Sequence, residues 1–211
     1  MNKIKCIAII IAFTLLTGCS AVSKESFEDR FDKKYLEIEN YASSGKITVY
    51  SNKTKNSYNF IQAYKKPDMY ILEYPDDNMK MIFSEGKVFI TSSKNNKKTS
   101  FKDVKEEYMH IFVDNFFKNY FSCQTGEYLY EKSGKNLILK CDITTQSGDN
   151  LVELLTIDEK NLTPIHLDVL RKGGEKVFEI VFNKFEFVKK FKDDIFDVEG
   201  KTNENLERSK S

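Results

Sequence analysis

Residues 45–74 read GKITVYSNKTKNSYNFIQAYKKPDMYILEY, and the periodicity of this stretch indicates the type of fold. Tyr58, Phe60 and Tyr64 lie at even spacing, with Gln62 in the same series, and the period of two returns at Tyr70 after a short polar connection. A period of two is typical of β-strands that bury one face. Connections this short join antiparallel neighbours, because parallel strands need crossovers of about a dozen residues or more. The sequence therefore predicts an antiparallel meander that begins at Gly45.

The same pattern continues through most of the chain. Polar turns interrupt it at Glu85-Gly86, at Ser92–Ser100 and at Gly173-Gly174. Strands arriving in this order, with too few helices for βαβ crossovers, indicate one antiparallel sheet. About ten strands are predicted: Gly45–Val49, Tyr58–Tyr64, Tyr70–Tyr74, Met79–Phe83, Lys87–Thr91, Glu127–Glu131, Asn136–Ile143, Leu151–Asp158, Pro164–Arg171 and Glu175–Phe187.

Two segments have helical spacing instead. Residues 25–42 carry one apolar stripe and residues 103–121 a broader one. The stripes consist of Phe27, Phe31, Tyr35, Ile38 and Tyr41 in the first segment, and of Val104, Tyr108, Ile111, Phe112, Phe116 and Tyr120 in the second. An antiparallel sheet needs a cover on one face, and these helices are the available cover. The predicted fold class is α+β, a curved antiparallel sheet (a half-barrel of about ten strands) wrapped over two main helices.

Composition excludes several classes of function. The chain has 211 residues and a formal charge of +1, so it lacks the surplus of cations that nucleic-acid binding requires. Hydrophobic residues make up 40% and charged residues 31%, which suits one soluble globular body. The chain has two histidines, which leaves little material for mechanisms that depend on that side chain.

The N-terminus has the features of an export signal. Lys3 and Lys5 precede an apolar run from Cys6 to Leu15, which is shorter than the roughly 20 residues of a transmembrane helix. The next residues, Leu16-Thr17-Gly18-Cys19, resemble the lipobox of bacterial lipoproteins. That resemblance implies cleavage before Cys19 and a diacylglycerol on its thiol; the alternative is an ordinary secretory signal with a chance cysteine. The predicted parts are 1–18 signal peptide, 19–26 lipidated cysteine and tether, 27–199 single domain, and 200–211 flexible tail.

Catalytic patterns are absent from the sequence. His110 and His166 lie outside any His-x-x-x-His or His-Glu-x-x-His pattern, and no Gly-x-Ser-x-Gly motif or phosphate-binding loop is present. The acidic pairs Asp76-Asp77 and Asp193-Asp194 are typical of solvated turns. The sequence predicts no catalytic residue, no metal ligand and no cofactor besides the acyl groups on Cys19. We expect that the protein is not an enzyme.

Cys123 and Cys141 are the cysteines left for the folded body. They flank a predicted hairpin, roughly opposite one another but a few residues out of register. An exported protein can form a disulfide, and closing a loop of about 19 residues stabilises by roughly 3 kcal/mol. A disulfide and two buried free thiols remain equal alternatives.

Several segments, taken in order, resemble the LolA-like lipoprotein-carrier folds. They cover about 25–198, and each one alone is loose. Those segments are Tyr41–Lys53, Tyr58–Phe60, Lys66–Glu73, Leu155–Ile165, Phe182–Phe187 and Phe196. Within that superfamily, the lipobox and the lysine-rich composition are most similar to the clostridial spore-germination lipoproteins.

This resemblance implies a function that composition and spacing do not reveal. It implies a membrane-anchored, non-catalytic lipoprotein on the outer face of a spore-associated membrane, required for cortex degradation. Its partner would be a zinc-dependent N-acetylmuramoyl-L-alanine amidase of the CwlD type. The alternative is an acyl-chain or lipoprotein carrier or sensor that uses the concave face of the half-barrel. An envelope hydrolase is a third hypothesis, which the missing catalytic pattern disfavours. The edges of an open sheet also permit a homodimer.

Overall fold

The computed structural model of the chain describes residues 27–36, 38–51, 53–95, 97–102, 106–123, 130–192 and 195–197. Two α-helices and eleven strands lie in these ranges, with 3₁₀ segments at Pro75–Asp77 and Glu106–Ile111. The helices are α1 (Phe27–Tyr35) and α2 (Val113–Cys123). The strands are β1 (Asn40–Tyr50), β2 (Lys55–Lys65), β3 (Met69–Tyr74), β4 (Met79–Ser84), β5 (Lys87–Ser92), β6 (Lys97–Lys102), β7 (Tyr130–Ser133), β8 (Asn136–Thr144), β9 (Asn150–Asp158), β10 (Pro164–Arg171) and β11 (Lys176–Phe187).

The strands form one antiparallel sheet in the order β6-β5-β4-β3-β2-β1-β11-β10-β9-β8-β7. Almost every neighbouring pair is also consecutive along the chain, as the short connections predict. The exception is the central pair, where β1 meets β11 with Tyr41 opposite Phe187. The chain therefore builds two meanders and joins them through its first and last strands. The sheet is curved and unclosed, so β6 and β7 are its edges.

The two helices pack on one face of this sheet, which we call the inner face. Inward side chains of the strands and the apolar stripes of α1 and α2 form one continuous core. Burying aromatic side chains of this size is the main favourable term of folding, about 25 cal/mol per Å² of apolar surface. This arrangement confirms the predicted fold class, a curved antiparallel sheet wrapped over two helices.

The outer face carries a smaller cluster beside the C-terminal end of the described chain. Phe196 lies against outward side chains of three neighbouring strands and is itself buried. Lys80 donates a hydrogen bond of 3.3 Å to the carbonyl oxygen of Ile195. The strand residues of this cluster are Ala63, Ile71 and Ile82. Residues 191–192 and 195–197 therefore cover part of the outer face of the sheet.

The predicted strand count is one short. The expected polar turn at Ser92–Ser100 contains most of strand β6, which runs from Lys97 to Lys102 and pairs with β5. All six of its residues are exposed, so burial imposes no alternation on them. Lysines on an edge strand also discourage pairing with other chains, which explains the polar composition.

The first helix is shorter than predicted. It ends at Tyr35, whereas the apolar stripe suggested an end at residue 42. Tyr41 is buried because it belongs to β1 and faces the same core as Phe31. Side chains of α1 and of β1 are therefore buried in one core. Their spacing along the sequence happens to match that of a single helix.

The second helix is also shorter than its predicted range of 103–121. Residues 103–105 lie outside the described chain, Glu106–Ile111 form a 3₁₀ segment, and the α-helix begins at Val113. The apolar face predicted for the α-helical part is confirmed, because Phe116, Phe117 and Tyr120 are buried.

Candidate functional site

The predicted lipid-attachment site lies outside the described residues. Leu16, Thr17, Gly18 and Cys19 belong to the segment 1–26, and lipidation at Cys19 stays a prediction. Within the part of the chain that the structure describes, no helix is long and apolar enough to cross a membrane.

The inner face of the half-barrel is filled by aromatic side chains of the helices. Phe31, Phe116 and Tyr120 are fully buried there. The rings of Tyr35 and Phe117 stack with centroids 3.9 Å apart, and those of Phe116 and Tyr120 stack at 5.7 Å. These side chains belong to the packed core between the helices and the sheet.

A smaller cavity of about 380 Å³ lies between the two helices. Its wall is mostly aromatic and aliphatic, while Lys66, Lys118 and Asp114 contribute charge. The apolar part of the lining comprises Tyr35, Leu36, Ile38, Tyr64, Phe117 and Phe121. This volume is at the low end for small-molecule sites.

Asp114 is a buried carboxylate beside this cavity. Tyr70 donates a hydrogen bond of 2.8 Å to Oδ2, and Tyr41 donates one of 3.3 Å to Oδ1. The ammonium of Lys118, one helical turn later, lies 3.4 Å from Oδ2. Burial nevertheless raises the pKa of Asp114, and these hydrogen bonds and Lys118 offset only part of the shift. The carboxylate ties α2 to β1 and β3.

A second buried polar group joins the 3₁₀ segment to β9. His110 Nδ1 lies 2.8 Å from Glu153 Oε1, and Asn119 donates a hydrogen bond of 3.3 Å to Glu153 Oε2. Both His110 and Glu153 are almost completely buried. Sequence reasoning missed Glu153 as the partner, although its signature is readable: an acidic residue at an inward position between Leu151 and Leu155.

The two cysteines of the body lie next to each other. Cys141 Sγ on β8 is 3.3 Å from Cys123 Sγ at the end of α2, and both carry free thiols in the structure. Burial raises the pKa of the Cys141 thiol, and the neighbouring Cys123 adds to the shift. The thiols are therefore placed for bridging, which the sequence left open.

A cluster of charged side chains on the outer face was not foreseen. His166 Nε2 lies 3.4 Å from Asp168 Oδ1 and 3.8 Å from Glu179 Oε1. The Lys176 ammonium contacts both carboxylates, and Tyr50 donates a hydrogen bond of 2.7 Å to Glu179 Oε2. The neighbouring carboxylate of Asp168 raises the pKa of His166, while hydrogen bonds from Lys176 and Tyr50 lower the pKa of Glu179. The His-x-Asp spacing on a strand was the available sequence signature.

These features define a class, an α+β domain whose open, curved antiparallel sheet is packed by helices on its inner face. The chain belongs to the YdcC-like sporulation protein family, whose model matches residues 2–196. It is 23% identical over 201 residues to sporulation protein YdcC of Bacillus subtilis, covering 89% of this chain. The chain spans 57% of the length of that protein. The family match confirms the resemblance to sporulation proteins drawn from the sequence.

Two solved bacterial structures are among those with a similar fold. One is a chain in the complex of the CwlD amidase from Clostridioides difficile with the GerS lipoprotein, at a TM-score of 0.45 and 23% identity, covering 79% of this chain and 96% of that one. Another is a LolA superfamily protein from Nitrosomonas europaea, at a TM-score of 0.39 and 10% identity, covering 84% of this chain and 98% of that one.

Proposed function

We propose that this protein is a membrane-anchored, non-catalytic lipoprotein that binds and supports a zinc-dependent cell-wall amidase during cortex degradation in spore germination. Membership of a sporulation protein family supports a role in the life cycle of the spore. The amidase class follows from the sequence resemblance to spore-germination lipoproteins. The GerS lipoprotein is found in complex with the CwlD amidase, and an amidase of this type is therefore the partner to test.

The filled inner face is the observation that carries this proposal. A carrier needs an open apolar cavity, but Phe31, Phe116 and Phe117 occupy the concave side of the described sheet. Binding then falls to the surface, where the edge strands β6 and β7 present backbone groups without a neighbouring strand. A protein partner fits such a surface better than a lipid does.

The anchor places the body close to the membrane. Two or more acyl chains hold a protein stably where one is marginal. The tether of residues 20–26 spans at most about 25 Å. An acylated Cys19 would therefore keep the domain on the outer face of the membrane, next to cortex-modifying enzymes.

The test mixes the full chain in detergent micelles with a CwlD-type amidase. We expect co-elution in size-exclusion chromatography and faster muropeptide release than with the amidase alone, while the lipoprotein alone releases none. If the two proteins do not associate and the rate of muropeptide release does not change at about 100 µM, the proposed support of the amidase is refuted.

Two further measurements separate the anchor and the carrier alternative from the partner. Cys19→Ala should move the protein from the membrane fraction to the soluble one, whereas the control Cys6→Ala, in the signal peptide, should leave it in place.

Native mass spectrometry of the purified chain should show no bound lipid beyond the covalent anchor. Copurifying lipid that Phe117→Ala alters would favour the carrier, which the cavity of about 380 Å³ would then serve.

A further inference from the structure

The charged cluster on the outer face brings two carboxylates together, and their repulsion requires a cation nearby. Asp168 on β10 and Glu179 on β11 are directly opposite in the antiparallel ladder. Like charges in this position destabilise a sheet. Their neighbours Leu167 and Ile180 point into the inner core, so the strand period fixes both carboxylates on the outer face. The fold therefore holds two carboxylates together and requires positive charge between them.

The third member completes a set of ligand atoms. His166 lies two residues before Asp168, on the same face of β10, and its Nε2 is directed at both carboxylates. One nitrogen and two oxygens of these residues lie within 4.8 Å of one another. Tetrahedral zinc with bonds of about 2.0–2.1 Å separates its ligands by about 3.3 Å. The separations of 3.4 and 3.8 Å from His166 are close to that value.

Two atoms of the set make charged contacts that lack the geometry of a hydrogen bond. His166 Nε2 and Asp168 Oδ1 are shielded from solvent; they lie 3.4 Å from each other, and Asp168 Oδ1 lies 2.9 Å from the Lys176 ammonium. Glu179 is oriented from outside, because Tyr50 binds Oε2 and leaves Oε1 facing the cluster. Outer partners of this kind commonly fix the carboxylates of metal sites.

Lys176 takes the place of the cation in the structure. Its ammonium lies 2.9 Å from Asp168 Oδ1 and 2.6 Å from Glu179 Oε1. The side chain is about one-third exposed and ends a flexible four-carbon stem, so it can leave the cluster without moving the strands. A cleft of about 810 Å³ lined by Tyr50, Arg171 and Lys176 adjoins the cluster and provides a route from solvent.

We propose that His166, Asp168 and Glu179 form a binding site for a divalent transition-metal ion, with Zn²⁺ the best fit, from which the Lys176 ammonium is displaced. Mixed imidazole and carboxylate ligands suit zinc, whereas calcium and magnesium prefer oxygen alone. This site does not depend on the proposed support of an amidase. It differs from the sequence-based expectation that the chain has no metal ligand, which the titration below tests.

The test titrates the full chain in detergent, first stripped with a chelator, with Zn²⁺ alone against a chromophoric indicator. We expect one ion per chain at this site. His166→Gln and Asp168→Asn should each weaken binding at least about tenfold, and Tyr50→Phe by about tenfold. Lys176→Met should tighten binding, about fivefold, because it removes the competing ammonium.

The control is Lys184→Met on the same strand, which removes an exposed ion pair with Glu186 and should leave zinc affinity unchanged. Replacing Cys123 and Cys141 by serine should also leave it unchanged, and Co²⁺ in place of Zn²⁺ should give a spectrum without thiolate charge transfer. Absence of zinc uptake at about 100 µM would overturn the proposal. So would affinity equal to wild type in both His166→Gln and Asp168→Asn, or no difference between Lys176→Met and Lys184→Met.

Discussion

Asp114 is a carboxylate that the fold keeps buried although its ionised form is more stable in water. A carboxylate in a core of aromatic side chains loses hydration, and the hydroxyl groups of Tyr41 and Tyr70 replace only part of it. Lys118 contributes charge from a half-exposed position, where solvent screens it. The net effect of burial is a raised pKa for Asp114.

This shift predicts a pH dependence of stability that Asp114→Asn removes. Because the pKa of Asp114 is higher in the folded than in the unfolded protein, the folded state binds more protons just above the ordinary carboxyl pKa. The contribution of Asp114 to the free energy of unfolding therefore decreases as pH rises through that window. Urea unfolding should show wild type losing stability relative to Asp114→Asn as the pH rises from about 4.

The control for this prediction is Asp68→Asn. Asp68 is exposed and pairs with the same Lys118, at 3.2 Å, so it tests loss of that ion pair without burial. A stability difference between wild type and Asp114→Asn that stayed flat with pH, or rose, would contradict the sign. If the stability difference from wild type changed with pH equally for Asp114→Asn and Asp68→Asn, burial would not be the cause of the pH dependence.

At the residue scale the backbone also sets one requirement. Gly45 stands where the pairing of β1 with β11 shifts register. A Cβ atom there would lie 2.0 Å from the backbone oxygen of Val181. The sequence shows Gly45 as the start of the alternating pattern, but the reason for glycine is the close approach of a strand about 136 residues away along the chain.

At the scale of elements, the contact of α2 with β8 places the thiols of Cys123 and Cys141. The sequence positions them on either side of a hairpin and leaves bridged and free forms equal. The structure shows free thiols with sulfurs 3.3 Å apart. A disulfide here would connect the end of the helix to the sheet and constrain the unfolded chain.

We predict that a disulfide reagent such as oxidised glutathione in excess joins these cysteines within one chain. Two thiols should disappear in an Ellman titration, with a faster-migrating band in non-reducing electrophoresis. The bridge should raise the free energy of unfolding by about 3 kcal/mol. Cys123→Ser and Cys141→Ser are the matched controls, and each should abolish the band. Persistence of both thiols, or formation of dimers alone, would contradict the prediction.

The elements that sequence reasoning identified are those with a local pattern. Strand β10 has the predicted bounds, Pro164–Arg171, because burial alternates over most of its length, from His166 to Leu170. Strand β6 was missed because both of its faces are exposed. The end of α1 was misplaced because Tyr41 reaches the same core from a strand.

At the scale of the molecule, the C-terminal segment determines how much of the outer face is covered. Phe196 is buried against β2, β3 and β4, and it packs edge-on against Phe191. This small second core joins residues that lie far apart along the chain.

Phe196→Ala should therefore lower the free energy of unfolding by about 3 kcal/mol, the usual cost of removing a buried phenylalanine. Phe101→Ala is the control, because Phe101 on the edge strand is half-exposed and should cost less than about 1 kcal/mol. Urea unfolding measures both. Equal losses would show that the segment does not stabilise the sheet.

The candidate sites follow the same division by distance along the chain. The lipobox is a continuous motif, so residues 16–19 predict it without a fold. The triad on the outer face combines β10 with β11, and its outer partner Tyr50 lies 129 positions from Glu179. Glu153 and His110 are 43 positions apart. A single-sequence pattern can mark Glu153 as an acidic residue at an inward position, but it does not show which residue Glu153 contacts.

The antiparallel meanders, the amphipathic helices and the fold class can be predicted from the sequence alone. Periodicity and short turns are local, and the need to bury one face of a sheet leaves few arrangements. Three features required the three-dimensional structure: the pairing of β1 with β11, the aromatic rings that fill the inner face, and the charged groups that meet on the outer face. Those contacts depend on the curvature and register of the whole sheet, because a side chain's neighbours across strands are set by packing and not by its position in the chain.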